Sequence, residues 1–165
     1  MQLVEGRATV GDVEEFVARL GEIGNEYDCT VQSFDARYIV SRAHLERALE
    51  LADRARERGE AVAREHAVEI LLYAAGRRQI ERALELGVEE GENEVVVLVD
   101  AEGSGDEREA AAAVSDLLDS GDTLGTFDEG RVREFFDIGD AELAATDAGL
   151  DSLVLERVAL LDVEK

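Results

Sequence analysis

The sequence predicts an α/β fold, a single layered domain spanning residues 1–165 whose mixed sheet of about four or five strands is flanked by helices. Three observations predict it. Short β-rich or mostly apolar segments (CTVQSFDA, AVEILLYA and NEVVVLVD) alternate with stretches whose apolar residues recur at helical spacing. Glycine clusters at 87–91, 103–105 and 121–130 separate these segments as loops, and the chain contains no proline. With 45% apolar residues in 165, the chain is long enough to bury roughly two thirds of the surface it would expose unfolded.

In order, residues 1–8 read as a short strand. A helix over about 11–23 follows from Val13, Phe16, Val17 and Leu20 at i, i+3, i+4 and i+7, with Thr9 and Asp12 resembling a capping box. Residues 29–36, CTVQSFDA, read as a second strand. A long helix over about 41–58 carries Leu45, Ala48, Leu49 and Ala52 on one side, Arg47, Arg54 and Arg58 opposite, and ends or kinks at Gly59. A helical turn at 61–66 leads into AVEILLYA, 67–74, whose mostly apolar character predicts a strand at the centre of the sheet. A helix over 77–86 stops at Gly87.

NEVVVLVD, 93–100, is the strongest strand signal, and Ser104 with Glu107 should cap an alanine-rich helix reaching about Leu118. A short strand near 122–126, a helix around 128–136 and a last helix over about 147–161 with Leu150, Leu153, Val154 and Leu161 complete the chain. Most of this last helix should dock on the core, with an exposed stripe toward the closing LLDVEK left to meet another protein.

Forty Asp and Glu oppose 17 basic residues, giving a net charge of −23, and Lys165 is the only lysine. So many apolar, periodic segments exclude an acidic disordered chain. A carboxylate-coated, lysine-poor surface fits a salt-rich cytoplasm, where ionic strength screens self-repulsion. Residues 37–82 are the exception, with ten arginines against eight acids. A surface meant for a polyanion belongs in this window. Cys29 stands alone, no apolar run reaches the roughly 18 residues of a membrane helix, and the N-terminal residues lack the pattern of a signal peptide. The expected compartment is the cytoplasm, with no membrane contact.

The most suggestive motif is Gly76-Arg77-Arg78-Gln79, at the junction of an apolar run and a helix. Helix-start amides and two guanidinium groups there would seat an anion, with Gln79 bonding a base or sugar. A glycine turn followed by arginines paired to Glu81 and Glu85 accounts for the same letters. Phe34 and Tyr38, flanking Arg37, offer either a base-stacking platform or the edge of a core. The Arg47, Arg54 and Arg58 stripe could track a phosphate backbone, but it is interleaved with Glu46, Glu50, Asp53 and Glu57, which favours a salt-bridged face.

Signals for an enzyme are thin. His44 and His66 are too far apart for a metalloprotease motif, and DAEGSGD at 100–106 lacks the ending of a phosphate loop. Neither a catalytic residue nor a metal or cofactor site is expected, nor a small-molecule substrate.

FDARYIVSRAHLERALELA, EILLYAAGRRQIERALELGV and LVLERVALLDV resemble the smallest peripheral subunit of the KEOPS complex, also called EKC, whose eukaryotic relatives are PRPK-binding proteins. The likeness is closest to archaeal members, and the acidic surface would then fit a halophilic archaeon. The resemblance implies a mixed sheet flanked by helices and a non-catalytic subunit that binds the atypical kinase/ATPase of the complex. It also implies recruitment of tRNA by its single-stranded 3′ CCA end, so that the catalytic subunit can transfer a threonylcarbamoyl group to an adenosine beside the anticodon. RNA contacts are carried onto Gly76, Arg77, Arg78 and Gln79, with Tyr73 beside them and Arg37, Tyr38 and Arg42 in the basic window. A protein-only adaptor that regulates the kinase without touching RNA is the alternative.

Overall fold

A computed structural model describes residues 1–164, with side chains through Val163; the single lysine, Lys165, lies outside the described residues. The chain divides into two compact units, residues 1–36 with 87–123, and residues 37–86 with 124–165.

The first unit is built on an antiparallel sheet of four strands, β1 (Gln2–Val10), β2 (Cys29–Asp35), β3 (Gly91–Ala101) and β4 (Asp119–Ser120), in the order β2-β3-β1-β4. The α/β class and the strand number agree with the sequence expectation. The pairing is antiparallel throughout, where a mixed sheet was expected. Strand β3 is the hub, pairing Gln2↔Val99 through Val10↔Gly91 on one side and Cys29↔Ala101 through Asp35↔Val95 on the other. Helices α1 (Val13–Tyr27) and α5 (Glu107–Ser115) lie on one face. There Val31, Val95, Val97 and Val99 meet Leu20, Ile23, Ala110 and Val114 in a buried core.

Helix α1 is capped by Asp12, whose carboxylate accepts from the amide of Glu15 at 3.1 Å, not by Thr9. Helix α5 is capped by Asp106, not Ser104, and ends at Ser115. Its approach needs Gly105, because a Cβ there would collide with the carbonyl of Asp28. The strand expected at 122–126 is absent; β4 lies just before it, and Thr123 instead bonds the carbonyl of Val95 through its hydroxyl.

The second unit is helical. It contains α2 (Arg42–Glu57), α3 (His66–Ala75), α4 (Ile80–Ala83), α6 (Glu129–Phe135), α7 (Asp140–Ala145) and α8 (Leu150–Glu164), with 3₁₀ turns at Ala36–Tyr38 and Leu84–Leu86. AVEILLYA is the main correction: it is helix α3, not a strand. Residues 69–75 are all buried, and a helix covered on every side is apolar on every side, so it shows no helical stripe. Helices α2 and α8 pack on it, with Leu45, Ala48 and Ala52 from α2 and Val154, Val158 and Leu161 from α8 in the core.

Residues 62–65 form bends, not a helical turn, and His66 already opens α3; the expected helix over 77–86 is reduced to α4 and the 3₁₀ turn after it. Helix α7 was not expected. Helix α8 buries Leu150, Leu153, Val154 and Leu161 as anticipated and leaves Leu160 and Val163 exposed.

Candidate functional site

All eight sequence-nominated residues fall in the helical unit, and the GRRQ corner is set by how α3 ends. Gly76 takes the left-handed conformation, φ +62°, and its amide returns to the carbonyls of Leu72 and Tyr73. The amide of Arg77 also returns to Leu72, at 3.1 Å, closing the turn around the last carbonyls of the helix. The corner therefore joins the C-terminal, negative end of α3, where guanidinium groups are electrostatically favoured, to the four-residue α4, which begins at Ile80. A Cβ on Gly76 would stand 3.1 Å from the carbonyl oxygen of Arg157, so α8 also approaches closely here.

Arg77 is half-buried and already engaged. Its guanidinium donates to the carbonyl of Phe135 and lies 5.0 Å from the centroid of the Phe135 ring. Arg157 reinforces the same end of α6, donating to the carbonyls of Phe136 at 3.0 Å and Asp137 at 3.1 Å while gripping Glu142 with two nitrogens at 2.6 and 2.8 Å. That ion pair holds the Glu142 carboxyl below the usual carboxylate range. Arg133 donates to Ile138 one residue further on. Helix ends leave carbonyls without intrahelical partners; Arg77 bonds the last carbonyl of α6, and Arg157 and Arg133 bond those of the three residues that follow.

Among the other nominated residues, Arg78 and Gln79 are exposed, and Gln79 stands before α4 without capping it. Arg42 is exposed at the start of α2 and pairs with Glu46 at 3.1 Å. Arg37 is half-buried, its carbonyl accepting from the amide of Asp128. Both tyrosines are buried. Tyr73 is fully covered and donates to Asp162 at 3.0 Å, while Tyr38 donates to Glu85 at 2.8 Å and meets the Phe135 ring edge-on at 5.7 Å. Burial, followed by the Glu85 bond, raises the Tyr38 phenol above its ordinary pKa. Phe34 is also buried.

A cleft of about 220 Å³ opens beside these residues, lined by Tyr38, Arg82, Glu85, Arg131, Glu134 and Phe135. Arg82 stands 6.0 Å from the same phenylalanine ring, so Phe135 is approached by two guanidinium groups. Sequence reasoning missed Phe135, Arg82 and Arg131. The signal was GRVREFF, adjacent aromatics among arginines, in a helix read only for its position.

The α2 stripe is a salt-bridged face, as expected: Arg47 and Arg54 both pair with Glu50, at 3.0 and 3.2 Å. His44 is packed. Its Nδ1 accepts from the amide of Val40 at 3.3 Å, which leaves Nε2 to donate to the carbonyl of Ala74 at 2.8 Å. Among the described residues no cluster of three or more His, Cys, Asp or Glu is placed to hold a metal ion, and no helix is long and apolar enough to cross a membrane.

Compared with known families, residues 9–162 match the model described as kinase binding protein CGI-121. The chain belongs to that family. The family is described as kinase-binding, in line with the likeness to PRPK-binding proteins read from the sequence. A search of curated proteins gives no match. For this member of the CGI-121 family, the match includes α1 to α7, strands β2 to β4 with the last two residues of β1, and α8 as far as Asp162.

Proposed function

We propose that the chain is a non-catalytic subunit of a KEOPS-type complex, which binds the kinase/ATPase subunit and brings tRNA to the assembly by its 3′ CCA end. The observation that carries this reading is the match of residues 9–162 to a family described as kinase-binding. The RNA half rests on the arginine-rich window and on the likeness read in FDARYIVSRAHLERALELA and EILLYAAGRRQIERALELGV. Exposure sorts its contacts: Arg42, Arg78 and Gln79 are presented to solvent, whereas Tyr38 and Tyr73 offer no ring face for stacking. At molar salt, counterion release contributes little, so hydrogen bonds and guanidinium stacking must supply the affinity.

A protein-only adaptor for the kinase is the second reading. It is favoured by the engagement of Arg77 with Phe135 and by the burial of both tyrosines. The experiment has two arms, titration with the purified kinase subunit, and titration with intact tRNA and the same tRNA trimmed of CCA, both in concentrated potassium chloride. Tight kinase binding with tRNA affinity lost on trimming supports the full proposal. Kinase binding with no response to trimming leaves the adaptor, and absence of kinase binding overturns both. Arg78→Ala with Gln79→Ala is the informative RNA variant, because Arg77→Ala would also unseat Phe135.

A further inference from the structure

The connection between α2 and α3 folds back onto a buried carboxylate. Glu69, in the first turn of α3, is 1% exposed, yet its oxygens accept from the amide of Val62 at 3.1 and 3.2 Å and from that of Ala63 at 3.0 Å. Consecutive amides turned toward one anion form the concavity by which proteins usually hold phosphate or carboxylate ligands. Here the anion is the chain's own side chain. Such charge-assisted bonds are among the stronger kind.

The segment is anchored at each end by separate contacts. At its start Gly59 takes φ +70° and the amide of Glu60 bonds the carbonyl of Ala55 at 2.8 Å. At its end the His66 ring lies 2.7 Å from Asp53 of α2, which also pairs with Arg56, so the first residue of α3 is tied to α2 just past the segment. Between these anchors Ala61, Val62 and Arg64 are exposed. The segment buries little apolar surface of its own, so the Glu69 clasp sets its position.

We propose that residues 59–65 are a strap held closed by the Glu69 carboxylate, able to open and close while the helices it joins stay folded. Segments that rest on a few polar bonds open at lower free energy than the core they border. The strap lies inside the arginine-rich window, so its state decides where Arg64 stands.

Native-state hydrogen exchange on the full chain tests this. In the unsubstituted protein, the amides of Val62 and Ala63 should exchange by a local opening insensitive to low denaturant, while those of Leu71, Leu72 and Val97 follow global unfolding. In Glu69→Gln, which keeps the shape but turns an amide toward the strap, exchange at Val62 and Ala63 should rise by about tenfold or more while the core amides keep their rates. Tryptic cleavage after Arg64 should accelerate in step. Exchange of the strap amides only through global unfolding in the unsubstituted protein overturns the proposal, even if Glu69→Gln does not fold. So does a uniform acceleration of strap and core together in the variant.

Discussion

Arg77 holds Phe135 in two ways, by a hydrogen bond from its guanidinium to the backbone carbonyl and by lying 5.0 Å from the ring centroid. A residue that sequence reasoning set aside for an external phosphate is thus joined to the end of α6. Arg77→Ala should lower stability by about 1–3 kcal/mol, from one charge-assisted bond to a buried carbonyl and a cation–π contact. Arg77→Lys should recover only part of this, since an ammonium lacks the planar fork. Urea unfolding of the three proteins checks it, and an Arg77→Ala midpoint equal to the original's would assign the bond no weight.

Gly76 and Gly59 both have left-handed backbones, φ +62° and φ +70°, but only Gly76 has a neighbour in the path of a Cβ. Gly59→Ala should cost about 1–2 kcal/mol, the conformational penalty alone. Gly76→Ala should cost more, because a Cβ at 3.1 Å from the Arg157 carbonyl must push α8 away. The difference between their unfolding free energies reads out that contact, and equal losses would show that α8 yields freely.

His44 should make stability depend on pH in a defined window. Burial lowers its pKa from 6.5 to about 4. Between these values the unfolded chain takes up a proton that the folded chain refuses, so this contribution is complete above pH 6.5 and is lost as pH falls toward about 4. The loss is on the order of 2–4 kcal/mol. His44→Phe should be less stable at neutral pH by about 1–3 kcal/mol, with the Val40 amide and Ala74 carbonyl left unpaired, and shallower in its pH dependence. Parallel curves for the two proteins would exclude the histidine as the cause.

Tyr73→Phe separates packing from recognition. It removes the bond to Asp162 that ties α3 to α8 and should cost about 1 kcal/mol of stability. Because the ring is fully buried, tRNA affinity should not change. A fall in affinity at constant stability would mean that the ring becomes accessible on binding.

Much of the fold could be read from the letters, and the exceptions share a cause. Strands β2 and β3 and helix α2 follow period and composition because each has a distinct inner and outer side or a strong β-former content. Helix α3 did not, because residues 69–75 are all buried and a short, mostly apolar run is shared by buried strands and buried helices. The informative letters flanked it: alanines at 74 and 75 and Gly76 beyond them are how a helix stops. That misreading hid half of the GRRQ corner, where helix α3 ends at Gly76 before the short α4 begins at Ile80. Phe135 stayed hidden for another reason. Its importance comes from residues far along the chain, Tyr38, Arg77 and Arg82, and no local pattern encodes a meeting of that kind.

The strand order carries a consequence for how the chain is made. Strands β1 and β2 never pair with each other; each is joined to β3, which follows β2 by more than fifty residues. On the ribosome, the first 35 residues must therefore wait, unpaired along both edges, until residue 101 has emerged. That is roughly 3–13 seconds at common rates of synthesis. The helices of residues 42–86 are made during that interval and can form from local contacts alone. The nascent protein is thus helical first and acquires its sheet late, and its two earliest strands are the ones most in need of a chaperone's cover.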